Sequence, residues 1–235
     1  MKLEICANSY QSALIAQKAG AHRIELCSEL SVGGITPSYG LIKQVIDTLS
    51  IAVFVLIRPR SGNFTYSEEE FDIMKHDIQL CKNLGCAGIV SGVLNKDNTI
   101  DIERTQELIE LSKPLEFTFH RAFDCVENPQ EALEQLINLG VERVLTSGLE
   151  ASAEKGLELL KQLKEHVNGR ITILPGSGIN LQNAKLFKDA GFLEIHLSAS
   201  KVVKNNSKSS MFDEIQKESD IETIKTILKI INDEA

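Results

Sequence analysis

The 235-residue chain is predicted to fold as a single α/β domain, one (β/α)8 barrel with a C-terminal helix after strand eight. Two observations carry the prediction. Four segments begin with a Gly that closes an apolar helix-like run and continue into a short β-rich run: Gly20-Ala-His-Arg-Ile-Glu-Leu26, Gly85-Cys-Ala-Gly-Ile-Val90, Gly140-Val-Glu-Arg-Val-Leu145 and Gly191-Phe-Leu-Glu-Ile-His-Leu197. Gly is favoured just past a helix end because it enters the left-handed region without a Cβ clash. Four further β-rich runs, Leu3-Glu-Ile-Cys6, Ala52-Val-Phe-Val-Leu-Ile-Arg58, Leu115-Glu-Phe-Thr-Phe-His120 and Ile171-Thr-Ile-Leu174, alternate with them. Eight strands, each followed by a helical stretch, close into a barrel at about this chain length.

In chain order, strand one (residues 3–6) leads into a helix that stops at Gly20, and strand two follows. Residues 28–38 read as a loose loop. Thr36-Pro37 then sets a cap before a Pro at the first helical position. Strand three (52–58) precedes a helix opened by the capping box Ser67 with Glu70. Strands four and five follow, and Asn128-Pro129 starts the next helix in the cap-plus-Pro manner. Strand six, strand seven and a helix capped by Asn180 come next, then strand eight. The remainder divides into a polar loop at 201–210 and a helical segment at 211–235, in which Ser219 with Glu222 opens a helix running toward Ile231. Residues 1–200 form the barrel core. No composition break divides the chain, so one domain spans 1–235.

Composition excludes several function classes. The formal charge is −8 and the pI about 5.2, which argues against nucleic-acid binding and against anionic membrane surfaces. No apolar run approaches the roughly 18 residues of a membrane span, and the first strand begins at once, with no basic-then-apolar leader. The five cysteines read as free thiols of a cytoplasmic protein, not as a disulfide framework. A homodimer is the expected assembly, closed two-fold dimers being the commonest.

Register follows from the four Gly anchors. Ile24, Ile89, Val144 and Ile195 are equivalent positions and are assigned to the helix-facing side. The opposite side points into the barrel and carries Glu25 and Cys27, Val90 and Gly92, Leu145 and Ser147, and His196 and Ser198. On the odd strands the same alternation places Glu4 and Cys6, Arg58 and Arg60, and Thr118 and His120 inside. Barrel interiors are usually filled by Val, Ile and Leu, and active sites sit at the C-terminal ends of the strands. Glu4, Glu25, Arg58 and Arg60 could make a structural ion-pair network there. The whole polar set points instead to a site.

An enzymatic reading assigns general acid and base roles to Glu4, Glu25, His120 and His196. Arg58, Arg60 and Arg121 suit an anionic group, because a guanidinium fork matches carboxylate or phosphate. Asp124 is placed to orient Arg121, with Ser147 and Ser198 nearby in register. Gly176 and Gly178, in Pro175-Gly-Ser-Gly-Ile179 ahead of the helix at Asn180, resemble a phosphate-binding loop; a tight turn explains them equally well. No inward Lys lies near a strand's C-terminal end, which counts against Schiff-base chemistry. The substrate expected is small and anionic, phosphorylated or polyhydroxy, and no organic cofactor is indicated. A hard-metal variant has His120, His196 and the two Glu binding Zn²⁺ or Mn²⁺.

The residues also resemble the CutC family, whose name refers to copper homeostasis. Leu3-Glu-Ile-Cys6 and Arg23-Ile-Glu-Leu-Cys27 resemble its first two strands, and Gly33-Gly-Ile-Thr-Pro-Ser38 its second βα loop. Ile57-Arg-Pro-Arg60 with Gly62-Asn-Phe-Thr-Tyr66, Phe119-His-Arg-Ala-Phe-Asp124, Leu145-Thr-Ser-Gly148 and Glu194-Ile-His196 complete the resemblance. It implies a TIM barrel and a cytoplasmic protein that binds or distributes Cu(I), with Cys6 and Cys27 as the ligands. Soft Cu(I) prefers thiolate, and adjacent strands about 4.8 Å apart let two thiols share an ion. Small apolar filling is the alternative role for both cysteines. Cys81, Cys86 and Cys125 are read as structural.

Overall fold

A computed structural model describes residues 1–203 and 217–233. The strands are β1 (Lys2–Ala7), β2 (Arg23–Leu26), β3 (Ala52–Leu56), β4 (Gly88–Ser91), β5 (Glu116–Phe119), β6 (Arg143–Thr146), β7 (Thr172–Pro175) and β8 (Glu194–Leu197). The helices between them are α1 (Tyr10–Ala19), α2 (Tyr39–Thr48), α3 (Glu68–Leu84), α4 (Ile102–Ser112), α5 (Pro129–Asn138), α6 (Leu157–Val167) and α7 (Ala184–Asp189). All eight strands are parallel in the order β7-β6-β5-β4-β3-β2-β1-β8. β1 pairs with β8 and so carries the sheet round, and β7 lies beside β8, giving a nearly closed barrel. This is the TIM barrel expected from the alternation.

The helix stops behave as the Gly positions require. Gly20 (φ +89°) and Gly85 (φ +82°) are C-caps whose N–H groups return to the last helical carbonyls. Ser67 and Glu70 form a complete capping box, and Asn128 caps α5 with Pro129 at its first turn. Three starts fall later than the sequence suggests. Ser38, not Thr36, caps α2, its hydroxyl accepting from Leu41 N at 3.3 Å. Asp220, not Ser219, caps the last helix, α8 (Ile221–Asn232). Asn180 starts a turn, not a helix: it accepts from Gln182 N, and α7 begins only at Ala184.

Ile24, Ile89, Val144 and Ile195 are wholly buried in the large layer between strands and helices. Each such side chain contributes about 1.5–3 kcal/mol through burial. The interior layer is separate and smaller: Cys6, Cys27, Phe54, Leu56 and Val90. After β8 the chain enters a short antiparallel pair, β9 (Ser200–Val202) with β10 (Lys217–Ser219). Lys201 and Val202 are therefore strand residues, not loop. The rest of the expected polar loop and the start of the expected helical segment, 204–216, lie outside the described residues. Residues 28–36 are also ordered, through a 3₁₀ turn at Leu30–Val32 and a bridge between Ser28 and Ile35.

Candidate functional site

Strand register stacks the ionisable side chains in two tiers. β1 places Glu4 beside Arg23 and Cys6 beside Glu25, and β8 places His196 beside Glu4. The lower tier is an ionic layer. Arg23 Nε donates to Glu4, and Arg23 Nη2 donates to Glu194 at 2.5 Å. Arg143 Nη2 donates to Glu116 at 2.5 Å and its Nε lies 3.4 Å from Glu194, a charge contact outside hydrogen-bond geometry. Both guanidinium groups lie over the Phe54 ring, at 4.7 and 5.0 Å. Gly88 makes room for that ring, since a Cβ there would stand 2.4 Å from it. This layer holds buried charge by pairing it, which is the condition for burying charge at all.

The upper tier rises from it. His196 Nδ1 donates to Glu4 Oε1 at 2.7 Å, and its Nε2 faces Glu25 Oε2 at 3.7 Å. Cys6 Sγ donates to Glu25 Oε2 at 3.2 Å and lies 3.5 Å from Cys27 Sγ. Ligand atoms of Cys6, Glu25 and His196 all fall within 4.8 Å of one another. Burial alone would raise the Glu4 carboxyl; its hydrogen bond to His196 and the Arg23 charge hold it down at about 2. Burial raises Glu25, and the Glu4 carboxylate adds to this against the pull of His196. Burial would lower His196, but the Glu4 hydrogen bond and the Glu25 charge bring it above its ordinary value. The Cys27 hydrogen bond, burial and the Glu25 carboxylate push the Cys6 thiol well up.

Above this cluster opens a cavity of about 590 Å³ at the C-terminal ends of the strands. Cys6, Glu25 and His196 form its polar floor. Arg58, His120, Arg121, Asp124, Gly178 and Ser198 contribute to the walls, with Leu30, Leu56, Phe64 and Leu145 between them. Volume and composition suit a small ligand.

Several expected residues have other roles. Arg60 does not line the cavity: it pairs with Glu70 at 2.5 Å, donates to the carbonyls of Ser61, Asn63 and Thr65, and covers Tyr66. Arg58 does line it, but its guanidinium braces loops, donating to the carbonyls of Val32, Gly34 and Gly62 at 2.7–2.9 Å. Arg121 donates to Asp124 (2.7 Å) and Ser147 (3.0 Å), so Asp124 does orient it. Ser147 acts through that contact and does not itself line the cavity. Gly176 is also set back; a Cβ there would meet Leu145 at 2.5 Å and His196 at 3.3 Å. The phosphate-loop expectation loses its helix. α7 starts four residues after Asn180 and has six residues, and the Gly178 carbonyl is taken by Asn180 and Asn183.

The hard-metal set is not assembled either. His120 stands apart from the cluster, and Glu4 is occupied by Arg23 and His196. The set that does converge is Cys6, Glu25 and His196, with Cys27 behind Cys6. His196 there has the carboxylate-backed arrangement of a metal-ligating histidine. The reading from sequence missed Arg23, Arg143 and Glu194, which lie two positions before Glu25, Leu145 and His196 on the same inward face. Cys125, read as structural, is exposed at the cavity wall. All five cysteines are free thiols. Among the described residues no helix is long and apolar enough to cross a membrane.

Comparison with known proteins locates the relatives of this arrangement. The model of the CutC family matches residues 1–201. A family protein CutC of Proteus mirabilis is 52% identical over 200 residues, covering 85% of this chain and 80% of that protein. The copper homeostasis protein cutC homolog of Homo sapiens is 49% identical over 198 residues, covering 84% of this chain and 72% of the human protein. A crystal structure of CutC from Streptococcus agalactiae superposes with a TM-score of 0.79 at 34% identity, covering 84% of this chain and 98% of that one.

Proposed function

The chain belongs to the CutC family, and we propose that it acts in copper homeostasis as a cytoplasmic protein that binds Cu(I) through Cys6 and Cys27. The observation that carries this reading is the pair of sulfur atoms 3.5 Å apart at the cavity floor. Two metal–sulfur bonds of about 2.3 Å at tetrahedral to trigonal angles span about 3.8–4.0 Å, so the pair opens by a few tenths of an ångström to hold one ion. Thiolate ligands suit Cu(I), and imidazole extends the set. Cys6 lines the cavity while Cys27 is wholly buried, so copper enters as cargo from the Cys6 side. Binding displaces the thiol protons, and Glu25, 3.2 Å from Cys6, is the nearest acceptor for one of them. The copper homeostasis name of the human relative supports the same reading. A Cu(I) titration of the wild type and the Cys6→Ser/Cys27→Ser variant tests it; loss of binding in the variant is expected.

A second reading has one specific observation behind it. Glu4, His196 and Glu25 form a line in which neighbouring groups are pushed in opposite directions, Glu4 down and Glu25 up. Such opposed carboxylates are how one site keeps an acid and a base at the same pH. On this reading the barrel mouth catalyses proton transfer or hydrolysis on a small anionic or polyhydroxy substrate, and copper acts on it indirectly. Saturable stabilisation by a member of a phosphate, sugar-acid and carboxylate panel, abolished by Glu25→Gln, is the expected result. A panel without effect counts against it.

A further inference from the structure

His120 is the wall residue that the copper reading leaves unused. Its ring is buried, 4% exposed, and it lines the cavity. Nδ1 accepts a hydrogen bond from Ala122 N at 3.2 Å. A ring nitrogen that accepts carries no proton, so the neutral ring keeps its proton on Nε2. That Nε2–H has no hydrogen-bond partner among the described residues. A buried donor left unmade is costly, and native structures rarely carry one without a reason.

The ring is held in place by its neighbours. Phe64 packs on it at 4.9 Å between centroids and Phe119 meets it at 6.0 Å edge-on. Gly92 leaves the space it occupies, because a Cβ there would lie 2.8 Å from Nδ1. Burial and the nearby Arg58 charge both favour the neutral ring. The Arg58 guanidinium lies on the other contact of Phe64, 5.0 Å from that ring's centroid. It sets a fixed positive field without giving up its three carbonyls. Its own Nε is also buried and unpartnered, with the Tyr66 hydroxyl near the guanidinium. Arg121 stands half-exposed on the same wall and commits Nε and Nη2 to Asp124 and Ser147. Of the acids on the cavity, Asp124 is saturated by Thr146, Ser147 and Leu149 as well as Arg121, and Glu25 sits at the floor by Cys6. Glu150 lies on the wall and disfavours anions near it.

We propose that the His120 Nε2–H, on the cavity wall that also carries Arg58 and Arg121, is the anchor of a binding site for a small carboxylate-bearing molecule, to whose oxygen it donates. One neutral donor backed by two fixed cations suits a singly charged carboxylate; a phosphoryl group needs more donors than this wall offers. The site uses none of the proposed copper ligands, and it rests on the reading of the barrel mouth as a site for a small anionic substrate.

The test is a titration of copper-free protein labelled with ¹⁵N, following the histidine ring nitrogens by NMR, with acetate, glycolate and pyruvate as probes and inorganic phosphate alongside. The free protein is expected to show His120 as the neutral Nε2–H form. At least one carboxylate is expected to shift that signal saturably, and phosphate less. His120→Phe keeps the ring on Phe64 and removes the donor, and is expected to weaken that carboxylate by about tenfold to a hundredfold. The proposal is overturned by an Nδ1–H form, by no saturable shift with any carboxylate, by phosphate binding more tightly, or by unchanged affinity in His120→Phe. If that variant does not fold, the wild-type spectra alone decide.

Discussion

His196 Nδ1 sits 2.7 Å from Glu4 Oε1, with both side chains buried inside the barrel. One contact thus joins the first barrel strand to the eighth and couples the ionic layer below to the sulfur–carboxylate cluster above. Glu4 also receives Arg23, so a guanidinium and an imidazole both donate to one carboxylate. Glu4→Gln removes one of the two carboxylates on Arg23, leaving Glu194, and one of the two facing His196, leaving Glu25. Removal of one partner of a buried pair costs about 3–5 kcal/mol. Urea unfolding is expected to show that loss as a lower midpoint, with the slope kept; a change below about 1 kcal/mol would mean the layer contributes little.

His120 predicts an acid limb of the stability curve. Burial first and the Arg58 charge second bring it down to about 3 from 6.5. The folded state therefore keeps a neutral ring where the unfolded chain takes up a proton. The stabilisation is complete above pH 6.5 and is lost as pH falls from there toward 3. A few kcal/mol are at stake. His120→Phe has no such proton to take up, so the wild type should lose stability relative to the variant as pH falls from 6.5 toward 3. A difference constant across this range contradicts the assignment.

The barrel and the floor of the site were legible from sequence because both rest on local alternation. Gly20, Gly85, Gly140 and Gly191 set the phase, and from that phase Glu25 and His196 had to point inward. The same alternation run two positions back reaches Arg23, Arg143 and Glu194, so the ionic layer was readable there as well. The work of Arg58 and Arg60 was not. Arg58 bonds backbone carbonyls of two loops, and the positions of those carbonyls exist only after the loops have packed. Helix starts slipped for a related reason. Ser38 and Asp220 compete with Thr36 and Ser219 one or two positions away, and tertiary exit angles choose between them. Asn180 has the right chemistry for a cap, but Asn183 binds its N–H at 2.8 Å and holds a turn instead.

Arg58→Ala should loosen the loop of residues 28–36 before it affects the barrel. Three carbonyls lose their donor, two of them at Val32 and Gly34. A cost of about 1–3 kcal/mol is expected, since the freed carbonyls regain water. Hydrogen exchange should speed up at the Ser28 and Ile35 amides, which bond each other's carbonyls, and stay slow in β1 and β2. Unchanged exchange at those two amides would remove the bracing role.

Gly176→Ala adds one methyl against Leu145 and His196. Overpacking of this kind costs about 1–3 kcal/mol. The added Cβ should also push the His196 ring, so Cu(I) affinity is expected to fall together with stability. A stability loss with full copper affinity would separate His196 from the copper site.

The most direct test of the central claim is an anaerobic Cu(I) titration against a chromophoric chelator, using the wild type and Cys6→Ser/Cys27→Ser. The wild type is expected to bind one equivalent tightly, and the variant, which should keep its folded circular dichroism spectrum, none in competition with the chelator. Weak binding by the wild type, or equal binding by both proteins, would contradict the claim and leave the sulfur pair as barrel packing.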